Sequence, residues 1–417
     1  MRTIKLNNLN INGENRRTIL IVLALFYSTI FYYIEYILSK NYVLSLLIPV
    51  LIGLVIVFCA VYCLNSGYLR LFRLGDATFL FVVFLAILLS ILLNIQNIDI
   101  ISERYLKVFF VESIPYFLLG FIFVSGDKHK KTLKYFTIFS IFLGVVYVFY
   151  MKSFGNAAAL SEDNMGLSYN YLPIVMMSFV FLLTSYKKTL SLLSFFVGLI
   201  LLVSLGTRGP IVILLTFCIV CLIHFLIKTK IRGKVIWVGL IILIAFLIFF
   251  GFQGIISTLS GFMSRIGMST RVLDKISQSS VFIDSDRSYI TKNVLDLIKD
   301  RPITGYGVGG EWEYLNWNAH NMYLSILQNF GIIVGSIIIV SILLLSLRAF
   351  FVESDVFLKY IILTWICIVF VQGFFGGEYL SKDVFFLIGI SVSTIRLHKN
   401  HSIIFGGVKN ELLYSVR

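Results

Sequence analysis

Long apolar runs separated by short polar segments dominate the sequence. Eleven of these runs are 16 to 23 residues long and nearly free of charge. An α-helix of that length crosses a hydrocarbon layer of about 30 Å. The runs lack the strict alternation of apolar and polar positions that membrane β-strands show. The pattern predicts an all-α, polytopic integral membrane protein with about twelve transmembrane helices.

Charged residues mark the ends of the apolar runs and define the candidate spans. The twelfth span is the shortest. In chain order the spans are residues 18–38, 42–64, 77–95, 106–124, 135–151, 171–186, 189–205, 210–227, 235–252, 331–350, 356–375 and 383–395.

The composition agrees with this pattern and excludes two other classes of protein. Hydrophobic residues make up 59% of the chain and charged residues 13%, about half the charged share of a soluble domain. The formal net charge is +14, which would suit nucleic-acid binding if the basic residues formed one face. They separate the apolar runs instead, so we expect no nucleic-acid partner.

The distribution of Lys and Arg predicts the orientation in the membrane, because basic residues near span ends are retained on the cytoplasmic side. With the N-terminus inside, 22 of the 35 basic residues fall in inner segments and 6 in short outer segments. Both termini are therefore expected in the cytoplasm. The basic N-terminus leads into the first span without a small-residue cleavage site, so we expect no cleaved signal peptide.

This topology divides the chain into three regions. Residues 1–252 hold spans one to nine, residues 253–330 form an extracytoplasmic loop, and residues 331–417 hold the last three spans and a cytoplasmic tail. In the loop, apolar residues recur at helical spacing between Asp286, a candidate N-cap, and Pro302. We expect a short amphipathic helix on the membrane surface, with Ile290, Val294, Leu297 and Ile298 as its apolar face.

A glycine-rich segment, GYGVGG at Gly305–Gly310, follows this helix and matches the pattern GxGxxG. A dinucleotide site is not expected, because no strand precedes the segment and the loop faces outside. Gly305 and Gly307 would instead permit tight turns and close backbone approach, and successive N–H groups can bind an anion. The alternative is a loop that only returns the chain to the membrane.

His320 lies beside the membrane at the start of the tenth span, in the sequence NAHNMY. On the predicted topology it is the one outward-facing histidine of five, and an imidazole with a pKa near 6.5 suits a general base. Gly305, Gly307, Asn321 and Tyr323 are candidate supporting residues. The alternative is that the His-Asn pair only caps a helix.

Two arginines are candidate ligands for a phosphate group. Arg208, in the short outer turn GTRGP, must lie at the membrane boundary, where an unpaired guanidinium is costly. It could donate two parallel hydrogen bonds to a phosphate, or it could extend to lipid headgroups. Arg287, at the start of the amphipathic helix, is the second candidate donor.

Acidic residues and cysteines offer weaker alternatives. Asp284 and Asp286 have the DxD spacing that can hold a divalent cation, although capping explains Asp286 equally well. Glu35 and Glu112 lie within spans, where buried acids can mark an ion pathway, but neither has a basic partner in its sequence neighbourhood. All five cysteines lie within spans, so neither a disulfide nor a zinc site is expected.

Three motifs in this order resemble the O-antigen polymerase and ligase superfamily. They are the GTRGP turn that opens a span, an Arg-led helix followed by RPITGYGVG, and AHNMYLSILQNFGIIVG entering another span. The segment SEDNMGLSYNYLPIVM around Asn164 is also similar to a family segment. The resemblance covers the architecture throughout and the motifs mainly from Arg208 to Gly335.

This resemblance implies a glycosyltransferase of the bacterial cytoplasmic membrane that uses a lipid-diphosphate-linked glycan and needs no metal or other cofactor. A polymerase would transfer a growing glycan from undecaprenyl diphosphate to another lipid-linked repeat unit, with a chain-length regulator and a flippase as partners. Arg208 and Arg287 would bind the diphosphate, and His320 would activate the acceptor.

Two other functions stay open from the sequence. A ligase would share these motifs and transfer the glycan to lipid A core, although nothing in the chain marks a lipid A core site. A polyisoprenoid-glycan flippase would need charges lining a path within the spans, whereas this sequence gathers them in outer loops.

The topology predicts that positions 310 and 382 face outside, whereas positions 130 and 230 face the cytoplasm. Single cysteines at these positions, in a cysteine-free background, can be labelled with a membrane-impermeant reagent in intact cells. Only the first two should react. Cytoplasmic labelling of position 310 would contradict both the topology and the proposed chemistry.

Overall fold

The computed structural model shows a helical protein. It describes residues 74–93, 99, 101–124, 129–154, 160–184, 188–205, 207–228, 257–258, 260–261, 264–265, 285–315, 319–376 and 378–414. Throughout these residues the regular structure is helical, without a strand, which confirms the all-α class. Glu35, Asp284 and predicted spans one, two and nine lie outside the described residues.

The described helices follow the apolar runs. Two π-helical segments, Ile101–Leu106 and Phe109–Ser113, lead into the second α-helix. The α-helices are α1 (Leu74–Leu93), α2 (Ile114–Phe123), α3 (His129–Phe154), α4 (Leu160–Thr184), α5 (Lys188–Ser204), α6 (Arg208–Lys228), α7 (Ser285–Asp300), α8 (Gly310–Leu315), α9 (Met322–Val352), α10 (Val356–Gln372) and α11 (Lys382–Tyr414).

Several helices have the length and composition of membrane spans. Among the described residues, Arg104–Phe123, Gly166–Thr184 and Met322–Val352 are long and apolar enough to cross a membrane, and they coincide with predicted spans four, six and ten. Spans three, five, seven, eight and eleven fall on shorter apolar helices. The twelfth span lies within α11. A multi-pass membrane protein is supported, and the total of twelve spans stays a prediction.

One compact unit includes the described residues of 74–133 and 287–417. Its closest helix pair is α2 and α11, where two glycines allow the backbones to touch. A Cβ atom on Gly120 would lie 2.4 Å from the carbonyl oxygen of Phe386, and one on Gly389 would lie 2.1 Å from that of Phe117. Small residues at helix crossings permit such close packing in membrane proteins.

The second compact unit includes the described residues of 134–286, with α4 buried among its neighbours. Phe179 of α4 contacts the rings of Phe195 and Phe217 on α5 and α6. The Thr207 hydroxyl donates a hydrogen bond to the Ser168 hydroxyl. This bond attaches the GTRGP turn to α4, immediately before α6 begins at Arg208.

The α2–α11 contact predicts a large difference between two glycine substitutions. Gly389→Ala should lower the free energy of unfolding by about 1–3 kcal/mol, because the added methyl group would overlap a backbone oxygen. Gly261→Ala is the matched control, since a Cβ atom there meets nothing within 4 Å. Thermal unfolding of both purified variants in detergent measures the difference. Equal stability of wild type and Gly389→Ala would contradict the close contact between α2 and α11.

Candidate active site

The loop from Pro302 to Gly307 docks onto a break in helix α9. At Gly331 the backbone is non-helical, with φ 75° and ψ 168°, so α9 consists of a first half up to residue 330 and a second half from residue 332. Three backbone hydrogen bonds join the loop to this break: Tyr306 N to Gln328 O (2.9 Å), Gly307 N to Asn329 O (2.9 Å) and Ile332 N to Pro302 O (2.7 Å). The loop therefore satisfies backbone groups that the broken helix leaves without partners.

Glycines make this docking possible. A Cβ atom on Gly331 would lie 2.1 Å from the carbonyl oxygen of Ile303, and one on Gly305 would lie 2.5 Å from that of Asn329. Gly305 and Gly307 both have positive φ, at 65° and 81°, which glycine adopts without steric cost. The close backbone approach expected from GYGVGG is therefore present.

The N–H groups of this segment are directed into the protein. Those of Tyr306 and Gly307 donate to α9, whereas those of Gly305 and Gly310 donate to the carbonyls of Arg301 and Gly307. These N–H groups already have acceptors, so they do not form the anion-binding nest that the sequence suggested. The segment serves the attachment of the loop to the broken helix.

The predicted amphipathic helix is present as α7. Its buried residues Val294 and Ile298 pack with Ala319, which directly precedes His320. Around this cluster lie the partly buried residues Ile290, Leu315, Leu324 and Leu327. The apolar face of α7 therefore covers the His320 segment and the first half of α9. Its position on the membrane surface stays a prediction.

The ends of α7 differ slightly from the prediction. The helix begins at Ser285, so Asp286 lies in its first turn and is not the N-cap. Arg287 lies in the same first turn, as expected. The helix ends at Asp300, two residues before Pro302, which fits the inability of proline to continue a helix.

Asn321 is the N-cap of α9. Its side-chain oxygen accepts hydrogen bonds from the backbone N–H groups of Tyr323 (3.0 Å) and Leu324 (3.1 Å). Two further bonds attach this helix start to the end of α10: Met322 N donates to Gly373 O (2.8 Å), and the Tyr323 hydroxyl donates to Phe370 O (2.5 Å). These bonds give Asn321 and Tyr323 a structural role at the start of α9. Their supporting role in the site stays a prediction.

His320 lies immediately before this cap and is exposed. Its φ is 49°, the only positive φ among non-glycine residues that the structure describes. A non-glycine residue in this region is uncommon and often occurs at functional sites. Because Asn321 supplies the cap, the capping explanation does not account for the imidazole.

Arg287 and His320 belong to the same compact unit, where α7 packs against the residue before His320. Arg208 begins α6 in the second unit. Asn164 lies near the start of α4, four residues before Ser168, which accepts the hydrogen bond from Thr207. Joint binding of a diphosphate by the two arginines stays a prediction.

A pocket of about 410 Å³ lies in the first unit, and the sequence did not reveal it. The cations Arg104 and Lys107 and the carboxylates Glu112 and Glu378 line it, together with aromatic side chains. The Arg104 guanidinium lies 3.7 Å from the centre of the Trp312 ring. Ser325, one helical turn after Asn321, forms part of the wall next to the His320 segment.

The walls of this pocket are attached to the broken helix. The Asn329 side-chain amide donates to the Tyr379 hydroxyl at 3.0 Å, while the Ser113 hydroxyl donates to Leu380 O at 2.7 Å. A Cβ atom on Gly309 would lie 3.1 Å from the side chain of Ile101. The glycine-rich loop, the helix break and the pocket are therefore one connected structure.

Glu112 has an electrostatic partner that the sequence did not show. It interacts with Lys382, which lies at the start of α11. Glu112, which looked isolated in the sequence, thus has the basic residue Lys382 near it beside the pocket.

Tyr306 connects the loop to the end of α7. Its hydroxyl donates to Asp300 at 2.6 Å, and the Arg301 guanidinium lies 4.5 Å from its ring centre. Burial, with further contributions from Asp300, raises the pKa of the Tyr306 phenol to about 12. The phenol therefore stays protonated near neutral pH and keeps its hydrogen bond.

Comparison with known families identifies the segment that carries these features. Residues 193–339 match the family described as O-Antigen ligase. This segment is similar to that family. The match confirms the resemblance to the O-antigen polymerase and ligase superfamily that the motifs indicated. No curated protein matches the chain.

The O-antigen ligase segment holds most of the proposed chemistry. It contains Arg208, Arg287, His320, the glycine-rich loop and the break at Gly331.

Proposed function

We propose that this protein is a polysaccharide polymerase. It transfers a growing glycan from undecaprenyl diphosphate to a lipid-linked repeat unit on the outer face of the bacterial cytoplasmic membrane, with both of its termini in the cytoplasm. The observation that carries the proposal is the exposed His320 imidazole, placed before a capped helix within the O-antigen ligase segment.

The proposed reaction assigns one role to each group. A hydroxyl of the acceptor saccharide attacks the anomeric carbon of the donor glycan, and its proton passes to His320. The bond between that carbon and the diphosphate oxygen breaks, so the lipid diphosphate leaves with the electron pair. Arg208 and Arg287 stabilise the negative charge that develops on it, since preorganised cations act most strongly where charge forms. No metal is required in this scheme.

The ligase remains the second candidate because the matched family is described as O-Antigen ligase. Deletion in the native host, followed by gel analysis of the glycan, distinguishes the two functions. Loss of the ladder with single repeat units retained supports a polymerase. Accumulation of unattached polymer supports a ligase and contradicts the polymerase.

The diphosphate assignment predicts that Arg208→Lys abolishes chain extension almost as fully as Arg208→Ala. A compact ammonium cannot reproduce the planar, two-pronged hydrogen bonding of guanidinium to phosphate. Arg265→Lys is the matched control, because Arg265 is an exposed arginine to which the proposed reaction gives no role. Transfer assays at equal expression in membranes measure the effect. Wild-type activity of Arg208→Lys would favour an arginine that only contacts lipid headgroups.

The general-base assignment predicts that His320→Ala lowers the transfer rate by about 10²- to 10⁴-fold. Wild-type activity should fall as the pH drops through the His320 pKa, because a protonated imidazole cannot accept the acceptor proton. Binding of the lipid-linked donor should persist in the variant. Purified protein, assayed for transfer and for donor binding across pH, tests both statements.

His320→Asn separates chemistry from backbone geometry. Asparagine tolerates the left-handed conformation of position 320 but cannot act as a base. This variant should therefore be as inactive as His320→Ala, whereas the exposed His398→Asn control should retain activity. Near-wild-type transfer by His320→Asn would show that His320 has a structural role only.

A further inference from the structure

We infer that the pocket between Arg104, Trp312 and Glu378 is the subsite that holds the acceptor saccharide. This inference rests on the proposed function and adds to it the place where the acceptor is bound. Of the charged residues that line the pocket, only Glu112 stood out in the sequence, and there it suggested an ion pathway.

The chemistry of the lining favours a saccharide over a diphosphate. Two basic and two acidic side chains line the same cavity, and the Glu378 carboxylate would repel a polyanion. Sugar hydroxyls both donate and accept hydrogen bonds, so they can use carboxylate acceptors and guanidinium donors together. The aromatic rings of Trp312 and Tyr379 offer apolar surface to the C–H faces of a sugar ring.

The size and shape of the pocket fit a short segment of glycan. Its volume of about 410 Å³ lies within the range of small-molecule sites, roughly 300–1,000 Å³. Glu378 and Tyr379 come from the turn after α10, whereas Trp312 comes from α8 and Arg104 from the helix before α2. Side chains from separate elements thus converge on one cavity.

The location of the pocket identifies its occupant as the acceptor. Ser325 in its wall belongs to the first turn of α9, whose N-cap follows His320. The backbone N–H of Met322 donates a hydrogen bond to Gly373 O. A Cβ atom on Gly376, two residues before Glu378, would lie 4.0 Å from the carbonyl oxygen of His320. A saccharide in the pocket therefore lies against the segment that carries the proposed base.

The polar groups of the site are held in place before any ligand binds. Arg104 is stacked on Trp312, and Tyr379 accepts a hydrogen bond from Asn329. The Tyr105 and Phe330 rings lie 6.3 Å and 5.9 Å from the Tyr379 ring. Ordered side chains lose less conformational entropy on binding than mobile ones.

The test measures binding of a soluble probe to the purified full-length protein in detergent. The probe is the dephosphorylated oligosaccharide repeat unit, released by mild acid from the host's lipid-linked precursor, and inorganic pyrophosphate is the competitor. Calorimetry should show that wild type binds the oligosaccharide and that pyrophosphate does not displace it. Displacement by pyrophosphate would overturn the inference in favour of a phosphate site.

Variants connect this binding to the pocket. Trp312→Ala and Glu378→Gln should each weaken oligosaccharide binding by about tenfold or more, because each removes a ring face or a charged acceptor. Trp312→Phe keeps an aromatic ring and should bind more tightly than Trp312→Ala at equal folding. Unchanged affinity in both Trp312→Ala and Glu378→Gln would overturn the inference.

Tyr289→Ala is the matched control, since it removes an aromatic side chain that is 68% exposed on α7. Its position is two residues from Arg287, and residues at this spacing point to different sides of a helix. This variant should keep wild-type affinity for the oligosaccharide. An equal loss of affinity in Tyr289→Ala would show that the effects at Trp312 and Glu378 are not specific to the pocket and would contradict the inference.

A separate result distinguishes this inference from the proposed function. His320→Ala should bind the oligosaccharide as wild type does, although its rate of glycan transfer falls. Suppose that host deletion leaves the glycan ladder intact while Trp312→Ala still weakens oligosaccharide binding. That combination contradicts the polymerase proposal and supports the saccharide site. If deletion removes the ladder but no variant of the pocket alters binding, the saccharide site fails alone.

Discussion

A broken helix must find partners for the backbone groups that the break exposes, because buried N–H and C=O groups without hydrogen bonds are costly. In this protein α9 breaks at Gly331, and the loop from Pro302 to Gly307 supplies those partners through three backbone hydrogen bonds. The glycines at positions 305 and 331 allow this contact without overlap. The arrangement of the candidate site depends on it.

The break leaves a short half-helix before Gly331, and its two ends make different contacts. Its C-terminal end receives the loop, while its N-terminal end is capped by Asn321 and attached to α10. His320 is thereby presented outside the helix in a left-handed conformation. Asn329, beside the break, holds Tyr379 in the pocket wall. The same backbone interaction thus positions the proposed base and the proposed acceptor subsite.

Part of this structure follows from local sequence patterns, and part does not. Apolar runs predicted the helices, helical spacing predicted α7, and GYGVGG predicted close backbone approach. Those signals act over a few residues. The pocket could not be predicted, because Arg104, Trp312 and Glu378 are far apart in the chain and meet only through tertiary packing. The Ser113–Leu380 bond in its wall spans 267 residues, and Lys382 beside Glu112 was hidden for the same reason.

Hydrogen–deuterium exchange of the purified protein in a lipid bilayer tests the loop–helix contact most directly. We predict slow exchange of the backbone amides of Tyr306, Gly307 and Ile332, since each donates to a carbonyl at the break. Gly331→Ala should accelerate their exchange, whereas Gly261→Ala should leave it unchanged. Exchange of these three amides in wild type as fast as that of a solvent-exposed loop would contradict the docking of the loop onto the broken helix.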